Sequence, residues 1–208
     1  VYSFFVGEVN FPTGHSLYGG ALNLNNPATR QNFAGADVVL AVGANVFNSF
    51  LYVPDPFLDP ASKLIHMDSS AAEVEKIYAT EVGILADPAA GLEDLADALE
   101  QDMSAQAREA AATRAAALAE ARRKSKERYR QRLADVWDRK PMSVERMMHE
   151  LAQASPLDVI VADESITSGP AMNRAFNFDE PGSLFGVVGG SLGWAMPGAL
   201  GVKLATPD

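Results

Sequence analysis

The sequence predicts an α/β protein built on parallel sheets, and two observations carry this prediction. Short apolar runs bounded by turn residues alternate with helix-forming segments, and this alternation occurs on both sides of a long stretch rich in Ala, Arg and Glu. Strands that alternate with helices favour right-handed crossovers, which place successive strands parallel to one another. We therefore expect one parallel α/β unit, a helical linker, and the beginning of a second parallel α/β unit.

Three strands are expected in the first half of the chain, and the first two are expected to be buried. The apolar run 36–44 is bounded by turn residues and is typical of a strand that is covered on both faces. The strands are predicted at 36–44, 63–70 and 81–87. After the second strand, Ser69 or Ser70 is suited to cap a helix over 71–79, and a further helix is predicted over 91–101.

The middle of the chain predicts a long helix. From Ser104 to about Arg139 the sequence is rich in Ala, Arg, Glu and Lys, which are strong helix formers, and it has no Gly or Pro. Its basic residues could form an anion-binding face, but interspersed acidic residues favour a solvent-exposed helix between domains. We expect a domain over 1–103, a linker over 104–140 and the start of a second domain over 141–208.

The last third of the chain predicts a helix, followed by two strands and a terminal helix. Ser143 is suited to cap an amphipathic helix in which Arg146 and Glu150 form an i,i+4 pair. The strands are predicted over 158–165 and 183–190, and the terminal helix over 192–205. The terminal helix is apolar on most of its faces, so we expect a second copy of the chain to cover it.

The composition excludes several classes of function. The 208 residues carry a formal net charge of −10, which disfavours non-specific binding to nucleic acid. Cysteine is absent, so disulfides, thiolate catalysis and cysteine-ligated metals are excluded, and the composition fits the cytoplasm. The sequence has no apolar run of membrane-spanning length. His15, His66 and His149 lie far apart and lack the spacing of zinc ligands.

Polar residues and glycines follow both predicted strands of the last third. The loop after the first strand offers hydroxyls and backbone N–H groups that suit a phosphate. These residues are Ser165, Thr167, Ser168 and Gly169. Gly189 and Gly190 end the second strand and permit close approach of a flat ligand. The alternative interpretations are an ordinary turn and packing room for the next helix.

Two adjacent acidic residues lie at the end of the first of these strands. Asp163 and Glu164 could act as an acid and base pair. Neighbouring residues on a strand point to opposite faces, however. We therefore expect a structural or ligand-edge role for one of the two carboxylates.

The motifs at these strand ends resemble those of a known family. The sequences D-E-S-I-T-S-G (163–169) and G-G-S-L-G-W-A-M-P-G-A-L-G-V-K-L-A (189–205) resemble the pyrophosphate-binding domain of thiamine-diphosphate enzymes of the decarboxylase and acetolactate synthase group. Earlier segments resemble the Rossmann-like central domain of that group, namely 11–22, 36–47, 64–78 and 83–95. The run Asp163-Glu164-Ser165 makes the resemblance closest to benzoylformate decarboxylases.

This resemblance implies the ligands and the residues that contact them. Thiamine diphosphate is the expected cofactor, with Ile166 and Thr167 at its diphosphate, Gly190 at its aminopyrimidine and Leu192 beneath its bent centre. Mg²⁺ is expected as well, with its ligand motif shortly beyond Asp208, so no metal ligand is assigned within this chain. The resemblance also implies a 2-oxo acid substrate and a homo-oligomer, either a dimer or a tetramer.

The resemblance further implies a longer enzyme of which this chain is a fragment. The domain that binds the pyrimidine and carries the activating Glu is expected elsewhere, so the 208-residue chain alone is expected to be inactive and to bind the cofactor weakly. Benzoylformate decarboxylases place a catalytic His in a segment that matches 46–60, where this chain has Phe50, so no catalytic residue is assigned. An acetolactate synthase-like carboligase is therefore an alternative. A non-catalytic nucleotide-binding or structural fragment is another, although the strands lack a G-x-G-x-x-G turn.

Overall fold

The computed structural model describes residues 1–4, 7–24, 26–31, 33, 35–47, 56–187, 190 and 192–207. These residues form two compact units. Residues 22–110 form the first, which we call the three-strand unit, and residues 1–21 with 111–208 form the second, which we call the two-segment unit. Both units contain parallel sheets, and the predicted α/β class with parallel pairing is confirmed.

The described strands are β1 (Tyr2–Ser3), β2 (Gly20–Ala21), β3 (Val38–Val42), β4 (Lys63–Asp68), β5 (Val82–Leu85), β6 (Val161–Asp163) and β7 (Leu184–Gly186). The described helices are α1 (Pro27–Gln31), α2 (Pro88–Asp102), α3 (Ala105–Val136), α4 (Val144–Ala154), α5 (Gly169–Ala175) and α6 (Ala195–Ala205). None of these helices is both long enough and apolar enough to span a bilayer.

The three-strand unit is a parallel sheet in the order β3-β4-β5. The central strand β4 is the most buried, and Met67 is only 1% exposed because α2 packs over it. The expectation that β3 is covered on both faces is wrong, since Val38 and Leu40 are exposed. Leu40 pairs with Ile65 of β4, and Ile65 lies on the same face of the sheet as Met67, two residues further on. Because α2 covers this face only near Met67, Leu40 stays exposed.

The helix predicted over 71–79 does not form, and turns occupy this segment. Two i→i+3 backbone bonds lie here, from Glu73 N–H to the Ser70 carbonyl and from Lys76 N–H to the Glu73 carbonyl. Glu75 has a φ of 61°, a left-handed conformation that interrupts a right-handed helix. The helix predicted over 91–101 is confirmed as part of α2, which begins earlier because Asp87 caps it.

The long helix predicted from Ser104 to about Arg139 and the helix that follows it are confirmed as α3 and α4. The Ser143 hydroxyl accepts a hydrogen bond from Arg146 N–H at 3.3 Å, as expected of an N-cap. The predicted pair of Arg146 and Glu150 is present, with Nε 3.4 Å from Oε1. Local capping and helix propensity therefore account for this part of the chain.

The core of the two-segment unit lies beside the sheet of β6 and β7. Its buried residues are Met172, Phe176, Phe178 and Leu184. The amino-terminal segment joins this unit, since Glu8 forms an antiparallel bridge with Phe185 of β7. Thr13 adds two bonds to Phe178, because its N–H donates to the Phe178 carbonyl and its hydroxyl accepts from Phe178 N–H at 2.7 Å.

Candidate functional site

The candidate site lies where β6 and β7 end. The two strands pair in parallel, and Asp163 lies opposite Gly186 in the register. Parallel pairing brings the segments that follow each strand to the same edge of the sheet, where α/β proteins bind ligands. Ile166, Thr167 and Gly190 follow these strands, whereas Gly189 lies outside the described residues.

Part of the predicted phosphate loop is used for internal bonding. Asp163 Oδ1 accepts hydrogen bonds from Ser165 N–H at 2.8 Å and from the Ser165 hydroxyl at 2.5 Å. Gly169 is buried, and a Cβ there would lie 3.4 Å from Ser165 Oγ. Asp163 therefore has a structural role, and Ser165 and Gly169 belong to the framework of the loop.

Other predicted contact residues are open to solvent at this edge. Ile166 is 81% exposed and Leu192 is 82% exposed, although both side chains are large and apolar. Thr167 is exposed, and its hydroxyl has no hydrogen-bond partner among the described residues. Gly190 has a φ of 70°, and a Cβ built on it would meet no atom of the other described residues within 4 Å, its chain neighbours aside. These residues therefore offer an apolar surface, a free hydroxyl and an unobstructed backbone.

Glu164 connects the two sides of the site. One of its carboxylate oxygens accepts a hydrogen bond from Gly193 N–H, and the other accepts from Ala195 N–H at 2.7 Å. The hydrogen bond from Ala195 N–H lowers the pKa of Glu164 most, followed by the bond from Gly193 N–H. Burial raises this pKa in part, and Trp194 N–H lowers it by a smaller amount. The carboxylate is thus the stable form at neutral pH.

Sequence reasoning expected an edge role for one acidic residue, but it missed the partner of Glu164. The relevant signal is at the start of α6, where the N-cap is Trp194 and provides no side-chain hydrogen bond. A helix without a local cap requires another acceptor for its first N–H groups. The sequence at the start of α6 therefore indicates that an acceptor is needed, but only the tertiary structure shows that Glu164 supplies it.

The three histidines have separate local roles. His15 Nδ1 accepts from Leu17 N–H at 3.1 Å, His66 Nε2 lies 3.2 Å from the Ala44 carbonyl, and the His149 ring packs edge-on against Trp137. In the part of the chain that the structure describes, no cluster of three or more potential ligand side chains could hold a metal. Phe50, the residue that stands in place of a catalytic His, lies outside the described residues.

Parallel strand ends that carry a glycine turn and an exposed apolar surface are typical of a cofactor-binding α/β protein. Comparison with known proteins shows a similarity to one class of such proteins. Residues 1–95 match the family described as "Thiamine pyrophosphate enzyme, central domain". These residues are similar to that family, and the predicted resemblance to thiamine-diphosphate enzymes is confirmed.

Individual relatives extend the similarity beyond the central domain. Benzoylformate decarboxylase of Pseudomonas aeruginosa is 27% identical over 197 residues, which are 95% of this chain and 34% of that protein. A probable acetolactate synthase large subunit of Methanocaldococcus jannaschii is 24% identical over 97% of this chain and 34% of its own length. The chain therefore spans about a third of the length of these relatives.

A solved structure shares the fold. The thiamine diphosphate-dependent 4-hydroxybenzoylformate decarboxylase of Rhodococcus jostii RHA1 aligns with a TM-score of 0.72 at 22% identity. The alignment covers 100% of this chain and 36% of that structure. The likeness supports the α/β architecture described above.

Proposed function

We propose that the whole protein is a thiamine-diphosphate-dependent decarboxylase of 2-oxo acids, similar to benzoylformate decarboxylases. The observation that carries the proposal is the edge that follows β6 and β7, where Ile166 and Leu192 are exposed and the backbone of Gly190 is open. The names of the relatives support the same class of reaction. The division into domains over 1–103, 104–140 and 141–208 is part of this proposal, as is the cytoplasmic location.

The residues at the edge fit the two ends of thiamine diphosphate. The free Thr167 hydroxyl is a suitable donor to a diphosphate oxygen, and Ile166 provides apolar contact beside it. The space around Gly190 permits a flat ring to approach the backbone, and Leu192 presents an apolar surface next to it. When bound, thiamine diphosphate supplies the electron sink for the loss of CO2 from a 2-oxo acid.

Mg²⁺ belongs to the proposal for an electrostatic reason. A diphosphate carries several negative charges, and the chain has a formal net charge of −10. A divalent cation would reduce the repulsion between them. Since the described residues contain no metal-ligand cluster, its ligands are expected outside them.

Calorimetry with thiamine diphosphate and Mg²⁺ tests cofactor binding. We expect the whole protein to bind with a micromolar or lower dissociation constant, and the 208-residue chain alone to bind far more weakly. Thr167→Ala should weaken binding by about tenfold, because a hydrogen bond to a charged group is lost. Thr113→Ala, at an exposed position of α3, is the control. Failure of the whole protein to bind would contradict the proposal and favour a nucleotide-binding or structural role.

A carboligase is the second candidate, favoured by Phe50 and by the acetolactate synthase relative. If Phe50 lines the substrate pocket, the enzyme lacks a positioned proton-transfer group, which contributes about 10²–10⁴-fold to a rate. The wild type should then release CO2 slowly from benzoylformate, and Phe50→His should raise that rate. Product analysis with 2-oxo acid and aldehyde together distinguishes decarboxylation from carbon–carbon bond formation. Rapid turnover by the wild type that Phe50→His leaves unchanged would show that Phe50 lies away from the pocket.

A further inference from the structure

The start of α6 depends on a residue from another element. Trp194 occupies the cap position with φ −75° and ψ −40° and makes no side-chain cap hydrogen bond. The first N–H groups of a helix have no partner within the helix itself. Glu164 provides the acceptors, although it lies 29 residues before Gly193 and 31 residues before Ala195 in the sequence.

A carboxylate suits this position better than other polar groups. It has two acceptor oxygens and no donor, and each oxygen here faces a different backbone N–H. Its negative charge is also favourable at a helix N-terminus. Glutamine would present one acceptor and an NH₂ group that faces an N–H. Aspartate keeps the carboxylate but is one methylene shorter.

The turn that Glu164 holds contains two glycines with left-handed backbone angles. Gly190 has a φ of 70° and Gly193 a φ of 89°, and in the described part of the chain a Cβ at either position would have no non-neighbouring atom within 4 Å. Glycine in open space has many accessible conformations, so packing at these two positions does not define the turn. The hydrogen bonds from Gly193 and Ala195 to Glu164 supply a restraint.

We propose that Glu164 is a positioning residue, which sets the spacing between the loop that carries Thr167 and the turn that carries Leu192. Thr167 follows Glu164 by three positions, and Leu192 directly precedes the bonded Gly193. The proposal rests on the proposed function, because these two segments are the ones expected to contact opposite ends of thiamine diphosphate. Without Glu164, the protein must order the turn when the cofactor binds, which weakens affinity.

The experiment compares Glu164→Ala, Glu164→Gln and Glu164→Asp in the whole protein. Glu180→Gln is the matched control, since Glu180 is an exposed glutamate of the same unit. Hydrogen exchange of peptides that cover 192–200, measured without cofactor, reports the restraint on the turn. Calorimetry with thiamine diphosphate and Mg²⁺ reports its consequence. Unchanged exchange in α4 shows that the fold of the unit is intact.

We expect Glu164→Ala and Glu164→Gln to speed exchange over 192–200 and to weaken cofactor binding by at least about tenfold. Glu164→Asp should lie between these variants and the wild type, and Glu180→Gln should match the wild type. Faster exchange with unchanged affinity would overturn the positioning role while leaving the proposed function intact. Unchanged exchange would show that the restraint does not exist. Absence of cofactor binding by the wild type would instead overturn the proposed function and, with it, this role.

Discussion

At the scale of single residues, Arg122 shows how one member of a basic run acquires a specific role. Its Nη2 donates to the Thr13 carbonyl at 2.5 Å, and its guanidinium carbon lies 5.4 Å from the centre of the Tyr18 ring. Neighbouring Arg123 pairs with Glu120 on the exposed surface of α3, and this pair lowers the pKa of Glu120 to about 2. The interpretation of the run as a solvated face therefore holds for Arg123 but not for Arg122.

Replacing Arg122 should reduce the stability of the two-segment unit. Arg122→Ala loses a charge-assisted hydrogen bond and a cation–π contact. The buried Nε of Arg122 makes no hydrogen bond among the described residues, and the cost of burying it offsets part of the stability that these two contacts provide. We expect a loss of about 1–3 kcal/mol in the free energy of unfolding, measured with urea. Arg123→Ala should have a much smaller effect, because it breaks an exposed ion pair. Equal effects of the two substitutions would contradict this assignment.

The contribution of Glu164 should depend on pH in a defined direction. Its folded-state pKa is lowered, so the carboxylate stabilises the protein fully above the ordinary glutamate pKa of about 4.3. That stabilisation is lost as the pH falls through the folded-state value. The difference in unfolding free energy between wild type and Glu164→Gln should therefore be constant near neutral pH and shrink in acid. A difference that grows in acid would contradict the assignment. The difference between wild type and Glu180→Gln, measured over the same pH range, is the reference for an exposed glutamate of the same unit.

At the scale of elements, the packing of α2 on β4 depends on a glycine. Gly91 is buried in α2, and a Cβ there would lie 2.6 Å from Met67 Sδ and 3.0 Å from Met67 Cε. Met67 is a flexible side chain, but at 1% exposure it has little room to move. Close approach of helix and strand, rather than backbone conformation, explains why glycine is suited to this position.

Gly91→Ala should destabilise the three-strand unit even though alanine favours helix. Overpacking costs about 1–3 kcal/mol, whereas the gain in helix propensity is about 1 kcal/mol, so we expect a net loss of about 1 kcal/mol. Gly201→Ala is the control, because a Cβ at this position of α6 meets no atom within 4 Å among the described residues outside its own helix turn. That change should stabilise α6 by up to about 1 kcal/mol. Thermal and urea unfolding measure the stability of both variants. A Gly91→Ala variant more stable than the wild type would show that the Met67 side chain moves aside at little cost.

At the scale of the whole molecule, the terminal helix presents a continuous apolar surface. Its exposed large side chains recur every four residues and so share one face of the helix. They are Met196, Leu200 and Leu204. Surfaces of this kind are normally covered by another surface, and the homo-oligomer expected from the resemblance would provide one.

We expect this face to mediate association between copies of the chain. The double substitution of Met196→Glu and Leu204→Glu should shift sedimentation of the 208-residue chain toward the monomer, because charge would be buried at the contact. Leu157→Glu is the control, since Leu157 is also fully exposed but lies outside this face. If both changes have the same effect, or neither has any, the face is not the site of association.

Local signals explain which parts of the fold could be predicted. The helix caps at Ser143, the uninterrupted helix formers of α3 and the apolar runs of β3 and β4 are all encoded by short stretches of sequence. The helix expected over 71–79 was wrong because its apparent serine cap and helix formers did not reveal the left-handed backbone at Glu75. Propensity is a weak guide where turns and contacts compete with it.

The amino-acid sequence was sufficient to predict the parallel α/β class, the helices α2, α3 and α4, and the motifs that resemble those of thiamine-diphosphate enzymes. The folded structure was needed to show that residues 1–21 join 111–208 and that Glu164 holds the turn before α6. Periodicity, capping and turn chemistry act within a few residues, so a single sequence displays them. The partners of Glu164 and Thr13 lie 31 and 165 residues away, and only the folded chain brings such groups together.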